Sequence, residues 1–465
     1  MSETITIRKG LDIPVGGTAE KRLTDARSIS TYAVKPTDFV GLTPRLLVEE
    51  GAAVGLGDVL FCDKNDERIR FTSPVSGHVK AIVRGEKRRL EAVVVEAQKE
   101  ESKLVFDIPQ NAEQTKALML RCGLWTMLRQ RPFGIVANPD DKPKAIFVSA
   151  FDSAPLAPDY DFVLQGKEEW FKKGLEALTL LTDGKVHVCF KPGQALAKHL
   201  STLNSKLSTY FVNGPHPAGN IGTQIAHIDP INKGEVVWTM NPQDVAVLGE
   251  LVSTGIYRPE KVIAVAGPKI KNPHYYHIKS GACMASIVGE QLLHNDYPLL
   301  ESASDEEADR VISGNILCGT KIAKDGFIGA YDSLLSIIPE GDYYEFMGWL
   351  MPGFKKFSFS RTFLSGFLST LNSQLSPYQF DTNTHGDERP LVFTGNFERV
   401  FPFDIYPTQL IKACVVGDIE LMENLGIYEV EPEDFALCEF IDTSKTNIQQ
   451  IIREALEKLR KEALG

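Results

Sequence analysis

The residues whose types and spacing could do chemistry lie in the segment NGPHPAGNIGTQIAHIDP (213–230). Gly214, Gly219 and Gly222, with Pro215 and Pro217, make a stiff, close-approach loop after a short strand expected over Tyr210–Val212. Loops of this kind can present backbone N–H groups to an anion or frame the mouth of a pocket. A P-loop needs Lys-Ser/Thr after the second Gly of its GxxxxG, and here Asn220-Ile221 follow Gly219. No GxGxxG, GxSxG or HExxH occurs, so neither a dinucleotide fingerprint nor a local hydrolase or metalloprotease motif is present. His216 and His227, eleven residues apart with no third convergent ligand, read as structural or solvent-facing rather than metal-binding. His216 is nevertheless a conceivable proton donor, because an imidazole titrates near neutral pH.

The seven cysteines (62, 122, 189, 283, 318, 414 and 438) are scattered, the closest pair being 24 residues apart. Without CxxC or CxxH there is no local ligand set for a ferredoxin-type cluster or a zinc ribbon, and the sparse set reads as reduced thiols. Lys+Arg 50 against Asp+Glu 61 gives a net charge of −11, the wrong sign for a nucleic-acid binder. One stretch departs from that balance. Residues 346–380 contain no acidic residue and carry Lys355, Lys356 and Arg361 among Phe354, Phe357, Phe359, Phe363 and Phe367. Such a surface suits a membrane headgroup layer or the cytosolic face of a membrane partner; its other reading is buried phenylalanines with solvated lysines. No apolar run reaches about 18 residues and the N-terminus has no apolar signal segment, so a cytosolic chain without spans or signal peptide is expected.

The elements that must position these residues follow from the hydrophobic pattern. At 465 residues the prior is about three domains. Residues 1–105 read as β: LLVEEGAAVGLGDVLF (46–61) steps in threes, followed by TSPVSGHVKAIV (72–83) and the alternating AVVVEA (92–97). The VxxGxxVxxGD…SPVSG pattern resembles a biotinyl/lipoyl-type barrel-sandwich. In a carrier the modified lysine would fall near Asp66; Lys64 is two residues early, so a structural barrel is the preferred reading. Residues 106–255 alternate strands (145–151, 186–190, 236–240) with helices (168–184, 243–255), the arithmetic of an α/β domain. A small α+β unit covers 256–340, and 341–465 holds a connecting segment and a helical end, with Ile448, Ile451, Ile452, Ala455, Leu456 and Leu459 forming one apolar stripe. STLNSKLS (201–208) recurs as STLNSQLS (369–376), which reads as two polar insertions into surface loops.

Taken in order, KGLDIPVGG (9–17), VANPD (136–140), GPHPAGNIGTQI (214–225), VAGPKIKNP (265–273), RVISGNILCG (310–319), GWLMPGFKKFSFSRTFLSGF (348–367) and DIYPTQLIKACVVGDIELMENLG…EDFALCEF (404–440) resemble the NqrA family of the Na⁺-translocating NADH:quinone oxidoreductases. The resemblance implies a Rossmann-like α/β domain similar to the flavin-bearing subunit of respiratory complex I and to the C subunit of the Rnf complex. It also implies a β-grasp (SLBB-type) unit after it. It further implies a peripheral subunit on the cytoplasmic face of the bacterial inner membrane, one of six, passing electrons from NADH to quinone with Na⁺ export and without independent activity. FMN, FAD and iron–sulfur groups would belong to partner subunits, with none on this chain. Quinone would be a possible substrate near Gly214, His216, Gly219 and Gly222. Lys355, Lys356 and Arg361 would dock on a membrane-embedded partner. A stand-alone NADH–flavin dehydrogenase and a carrier using Lys64 are the competing readings.

Overall fold

In the computed structural model, the described residues are 3–26, 29–98, 103–200, 205–293, 309–343, 347–348, 350–361, 363–365, 378 and 380–463. The chain opens with two short strands, β1 (Glu3–Thr6) and β2 (Glu20–Asp25), and then builds the N-terminal barrel. Its strands are β3 (Thr31–Val34), β4 (Pro44–Leu46), β5 (Ala53–Val54), β6 (Val59–Asp63), β7 (Arg70–Thr72), β8 (Gly77–Arg84) and β9 (Leu90–Ala97). They form a four-stranded sheet (β3-β9-β8-β5) and a three-stranded sheet (β4-β6-β7), all antiparallel.

The second region runs β10 (Leu104–Val105), α1 (Ala112–Cys122), β11 (Arg129–Arg131), β12 (Ile135–Val136), β13 (Ala145–Ser149), α2 (Tyr160–Val163) and α3 (Glu168–Leu178). It continues with β14 (Lys185–Phe190), β15 (Leu207–Asn213), α4 (Ile221–Ile228), β16 (Val237–Thr239), α5 (Pro242–Thr254) and β17 (Ile256–Tyr257). The seven-stranded sheet has the order β1-β15-β14-β13-β16-β11-β12, parallel from β1 to β16. Alternation divides its strands between two faces. Ile146, Val148, Val186 and Val188 pack with Leu175, Leu178, Leu248 and Leu251, while Phe147 and Val237 pack with Ile225 of α4.

Helix boundaries follow their caps. The Asn241 side chain accepts from Gln243 N–H, Pro242 occupies the first turn, and Gly255 at φ 72° closes α5 by donating to the Leu251 carbonyl. The helix expected over 168–184 stops at Leu178. Beyond it the Thr182 hydroxyl donates to the Pro143 carbonyl, and a Cβ on Gly184 would lie 1.8 Å from the Lys144 carbonyl oxygen. Gly184 therefore serves a close strand approach and not a helix end. The first STLNS copy also departs from expectation. Leu207 and Ser208 open β15, paired with Val186 and His187, so this copy ends inside a sheet. The second copy, and residues 201–204 of the first, lie outside the described residues.

The third region contains β18 (Glu260–Ala266), β19 (His274–Lys279), α6 (Ala285–Gln291), β20 (Asp309–Ser313), β21 (Thr320–Ile322) and β22 (Leu334–Pro339). Its six-stranded sheet, β2-β19-β18-β22-β20-β21, takes β2 from the N-terminus. It shares one core with the barrel, where Phe61, Phe71 and Val93 meet Ile263, Tyr276 and Ile337. The helices that follow are α7 (Phe397–Val400), α8 (Pro407–Val416), α9 (Ile419–Asn424), α10 (Ala436–Ile441) and α11 (Ile448–Ala463). The apolar stripe of α11, except the half-buried Ile451, is buried with Phe401, Phe403, Leu410 and Phe435, and Ile13 joins the same core.

Helices α3 and α5 touch through glycines. A Cβ on Gly249 would lie 1.7 Å from the Trp170 carbonyl oxygen, and one on Gly174 would lie 1.9 Å from that of Val245. Gly249→Val forces the two helices apart, so equilibrium urea unfolding is expected to show a loss of about 1–3 kcal/mol or more. An unchanged midpoint would contradict this packing.

Candidate functional site

The Gly/Pro loop joins β15 to α4 and is clamped by the N-terminus. Ile7 N–H donates to the Asn213 carbonyl at 2.7 Å, Leu11 N–H to the His216 carbonyl at 2.8 Å, and His216 N–H to Asp12 Oδ1 at 2.9 Å. Gly214 sits at φ 147°, and a Cβ there would lie 2.3 Å from the Ile7 carbonyl oxygen. On the other side Gly219 N–H donates to Ser153 Oγ at 2.8 Å, and that hydroxyl lies 3.0 Å from His216 Nδ1. Ala218 and Asn220 N–H donate to the Pro215 and Pro217 carbonyls. These loop donors are therefore engaged within the protein rather than turned to an anion.

His216 is buried, and desolvation pushes its imidazole down to about 4 against the opposing pull of Asp12. Its expected titration near neutral pH is thus corrected: at pH 7 this ring is a neutral hydrogen-bonding group. His227 Nδ1–H donates to the Thr223 carbonyl, 2.8 Å away, within its own helix.

Gly222 has a different partner from the one expected. A Cβ there would lie 2.3 Å from Asp434 Oδ1 and 2.5 Å from Arg131 Nη1. The close approach accommodates an internal ion cluster. Arg131 reaches Asp434 at 3.0 Å, Glu433 at 2.6 Å and Glu431 at 3.4 Å, while Arg129 meets Glu431 at 2.9 Å and lies over the Tyr331 ring. Desolvation raises the Asp434 carboxyl above its usual range, outweighing Arg131. For Glu433, desolvation loses to Arg131 and Arg129, which hold it below its usual range. Pro432 is readable as a first-turn residue, but no local pattern links Glu431–Asp434 to two arginines some 300 positions earlier.

Beside the loop, at the C-terminal ends of β13, β14 and β15, lies a cavity of about 360 Å³ lined by Asp12, Asp152, Ser153, Lys191, Asn213 and Gly214 among others. This edge of a parallel sheet is where open α/β folds bind ligands, and the volume suits a small molecule. Desolvation by the surrounding protein raises the Asp152 carboxyl above its usual range. Asp152 and Lys191 escaped the sequence reading, although each directly follows a strand expected there (145–151 and 186–190), the one signal that could have found them. Gly214 is the expected loop residue at the cavity wall; His216 stands behind the lining residues Ser153 and Asp12, which it hydrogen-bonds, and Gly222 faces the ion cluster instead. A second cavity, of about 70 Å³ where the barrel meets the second and third regions, is smaller than ligand pockets usually are.

The remaining expected sites divide. Lys355 and Arg361 are exposed, whereas Lys356 is half-buried, with Nζ donating to the Gly348 carbonyl at 3.3 Å and lying over the Phe363 ring. Lys64 is exposed on the β6–β7 hairpin. That hairpin is latched by Arg68, which pairs with Asp66 at 2.7 Å and with Asp140 of the α/β region at 2.6 Å. A swinging carrier arm needs a free tip, so the latch opposes the carrier reading. Among the described residues, no group of three or more His, Cys, Asp or Glu could hold a metal ion, and no helix is long and apolar enough to cross a membrane. All seven cysteines are free, and burial pushes the Cys122 thiol up to about 12.

Comparison with known proteins agrees with this architecture. Residues 5–98 match the family described as "NqrA N-terminal barrel-sandwich hybrid domain", 110–257 the "NqrA second alpha/beta domain", and 262–324 the "NQRA C-terminal domain" of SLBB type. Proteins named for this same component of the Na(+)-translocating NADH-quinone reductase align over 98% of this chain and 100% of their own length. They are 37% identical to it in Yersinia pseudotuberculosis and 36% in Vibrio atlanticus. The chain belongs to the NqrA family. Actinobacillus pleuropneumoniae has a relative of the same name, 37% identical over the same coverage. Membership of the NqrA family thus spans the ion cluster, the loop and the cavity in one chain.

Two outcomes follow from the geometry. Arg131→Met leaves its buried carboxylates without their cation, so a loss of about 3–5 kcal/mol in denaturant unfolding is expected; a change under about 1 kcal/mol would sink the cluster's structural role. For His216 the folded pKa of about 4 lies below the unfolded 6.5. The unfolded chain then takes the proton first, so this contribution is complete above pH 6.5 and is lost as pH falls toward 4. His216→Gln should flatten the stability–pH slope in that window by about 3 kcal/mol in total. Parallel slopes would refute it.

Proposed function

We propose that the chain is a peripheral subunit on the cytoplasmic face of a Na⁺-translocating NADH:quinone reductase. It contributes quinone contact and assembly while flavins and iron–sulfur groups reside on partner subunits. The observation that carries this reading is the likeness to relatives named for this component of the reductase, which covers 98% of this chain and 100% of theirs. In it the seven-stranded sheet is a Rossmann-like scaffold, and α7–α11 form a helical domain of their own. The other five subunits include a membrane-embedded one, and the membrane-spanning partners carry the Na⁺ path. Lys355 and Arg361 mark the side turned to the membrane.

Quinone contact falls to the cavity beside Gly214. Reduction of a quinone to its quinol requires hydrogen-bond donors at two carbonyl oxygens and two protons. The Lys191 ammonium and the Asn213 amide, both on the cavity lining, are donors of the right type. Asp152, whose carboxyl desolvation raises above its usual range, replaces His216 as the acid–base side chain on the cavity lining. Electrons arrive from a partner's flavin. The loop wall, pinned by Asp12 and Ser153, keeps the cavity's shape before any ligand enters.

Ala157 lines the same cavity. Titration of a short-chain ubiquinone into the purified chain should saturate, and Ala157→Phe, which fills the space, should weaken it about tenfold or more. Saturation that is indifferent to Ala157→Phe would remove the cavity as the quinone site. No saturable binding by the parent chain would remove quinone contact altogether and leave assembly.

A further inference from the structure

The phenylalanines of the acid-free stretch do not share one role. Phe357 packs among Tyr378, Phe380 and Phe440, and Phe359 lies against the Arg399 guanidinium, 4.5 Å from ring centre to carbon. These two fasten the segment to the helices behind it. Phe354, by contrast, is 56% exposed, near Met351 at 57% and Leu350 at 64% in sequence, with Met347 and Leu364 also exposed. Large apolar side chains more than half in water, grouped within so few residues, mark an interaction surface.

The surface is built on turns. Leu350 N–H donates to the Met347 carbonyl, Lys356 N–H to that of Gly353, Arg361 N–H to that of Ser358, and Leu364 N–H to that of Pro352. The last bond brings Leu364 back beside Met351. Lys356 folds inward onto Gly348, and the Ser365 hydroxyl donates to the Lys356 carbonyl. Lys355, next to Phe354 in sequence, and Arg361 stay exposed. A short lobe of turns with cations beside protruding apolar tips matches the boundary between headgroups and acyl chains, which asks for depth and charge but no shaped counterpart. Its charge points to the partner's sign. In a chain of −11, this stretch has three cations and no acid, complementary to a uniformly anionic surface.

We propose that this lobe inserts Leu350, Met351 and Phe354 into the headgroup layer of an anionic bilayer, with Lys355 and Arg361 on lipid phosphates. The inference rests on the reading that this face is turned to the membrane, and it deepens that reading by naming lipid as what the face meets.

The test is co-sedimentation of the purified full-length chain with phosphatidylcholine vesicles, with and without phosphatidylglycerol. Binding is expected only with the anionic lipid, and it should weaken as salt rises. Each exposed cation near such a surface is worth about fivefold in partitioning, so Lys355→Glu with Arg361→Glu should weaken binding about 25-fold or more. Phe354→Asp, a change at an exposed position, should lower binding while the thermal midpoint stays put. Absence of binding to anionic vesicles, or binding indifferent to both sets of changes, overturns the proposal. Co-purification with the membrane subunits separates this test from that of the functional reading. A chain that assembles normally yet ignores vesicles refutes lipid contact and leaves the functional reading standing. Vesicle binding without any assembly does the reverse. Charge reversal that blocks assembly of a chain that never binds vesicles makes the face a protein-docking surface, which also overturns the proposal.

Discussion

A guanidinium keeps its proton at any pH a cell meets, so an arginine taken out of water must bring carboxylates with it. Arg131 is that case: it is almost fully buried and gathers Glu431, Glu433 and Asp434 from the far end of the chain. The same three residues form the turn that enters α10, where Asp434 Oδ2 accepts the Glu431 N–H as a cap. One ion cluster therefore fixes both the strand β11 and the start of the last helices. It also fixes α4, because only a residue without a Cβ at position 222 lets that helix come so close. From α4 the constraint passes to the Gly/Pro loop and from the loop to one wall of the cavity. The cost of burying one cation thus sets the geometry of a binding space built by other residues.

The loop itself shows how a motif that looks like ligand chemistry can be architecture. Its glycines are needed, but for Ile7, Ser153 and Asp434, not for a phosphate. Its histidine is held by a serine hydroxyl and a backbone contact with Asp12, in surroundings dry enough to keep it uncharged. What remains open to a ligand is the neighbouring strand edge, where Asp152 and Lys191 stand.

Much of this was legible in the residues, and the reasons for the rest are physical. The barrel could be read because its strands are short, alternating and punctuated by glycine. Helix α5 could be read because Asn241, Pro242 and Gly255 mark both its ends. The end of α3 could not, since Leu180 and Leu181 continue its periodicity while the Thr182–Pro143 bond, a long-range contact, turns the chain away. The STLNS segment misled because polar residues can start a strand when its neighbour supplies the pairing, as β14 does for Leu207 and Ser208. Lys356 looked like its exposed neighbours until its ammonium folded back on Gly348. The Arg131 cluster had no local signature at all, because its partners meet only in three dimensions.

The first two strands carry a consequence for how the molecule comes into being. Strand β1 lies at the open end of the seven-stranded sheet and β2 at that of the six-stranded one, each parallel to a strand made some 200 or more residues later. Every residue of β2 is exposed, and its sequence, Glu-Lys-Arg-Leu-Thr-Asp, is mostly charged. An uncovered strand edge invites pairing with another chain, and charge on the outermost strand discourages it. During synthesis the covers leave the ribosome before the edges they close exist. Each emerging sheet thus meets its own polar border already tethered nearby, and the edges of β15 and β19 are closed to a nascent neighbour.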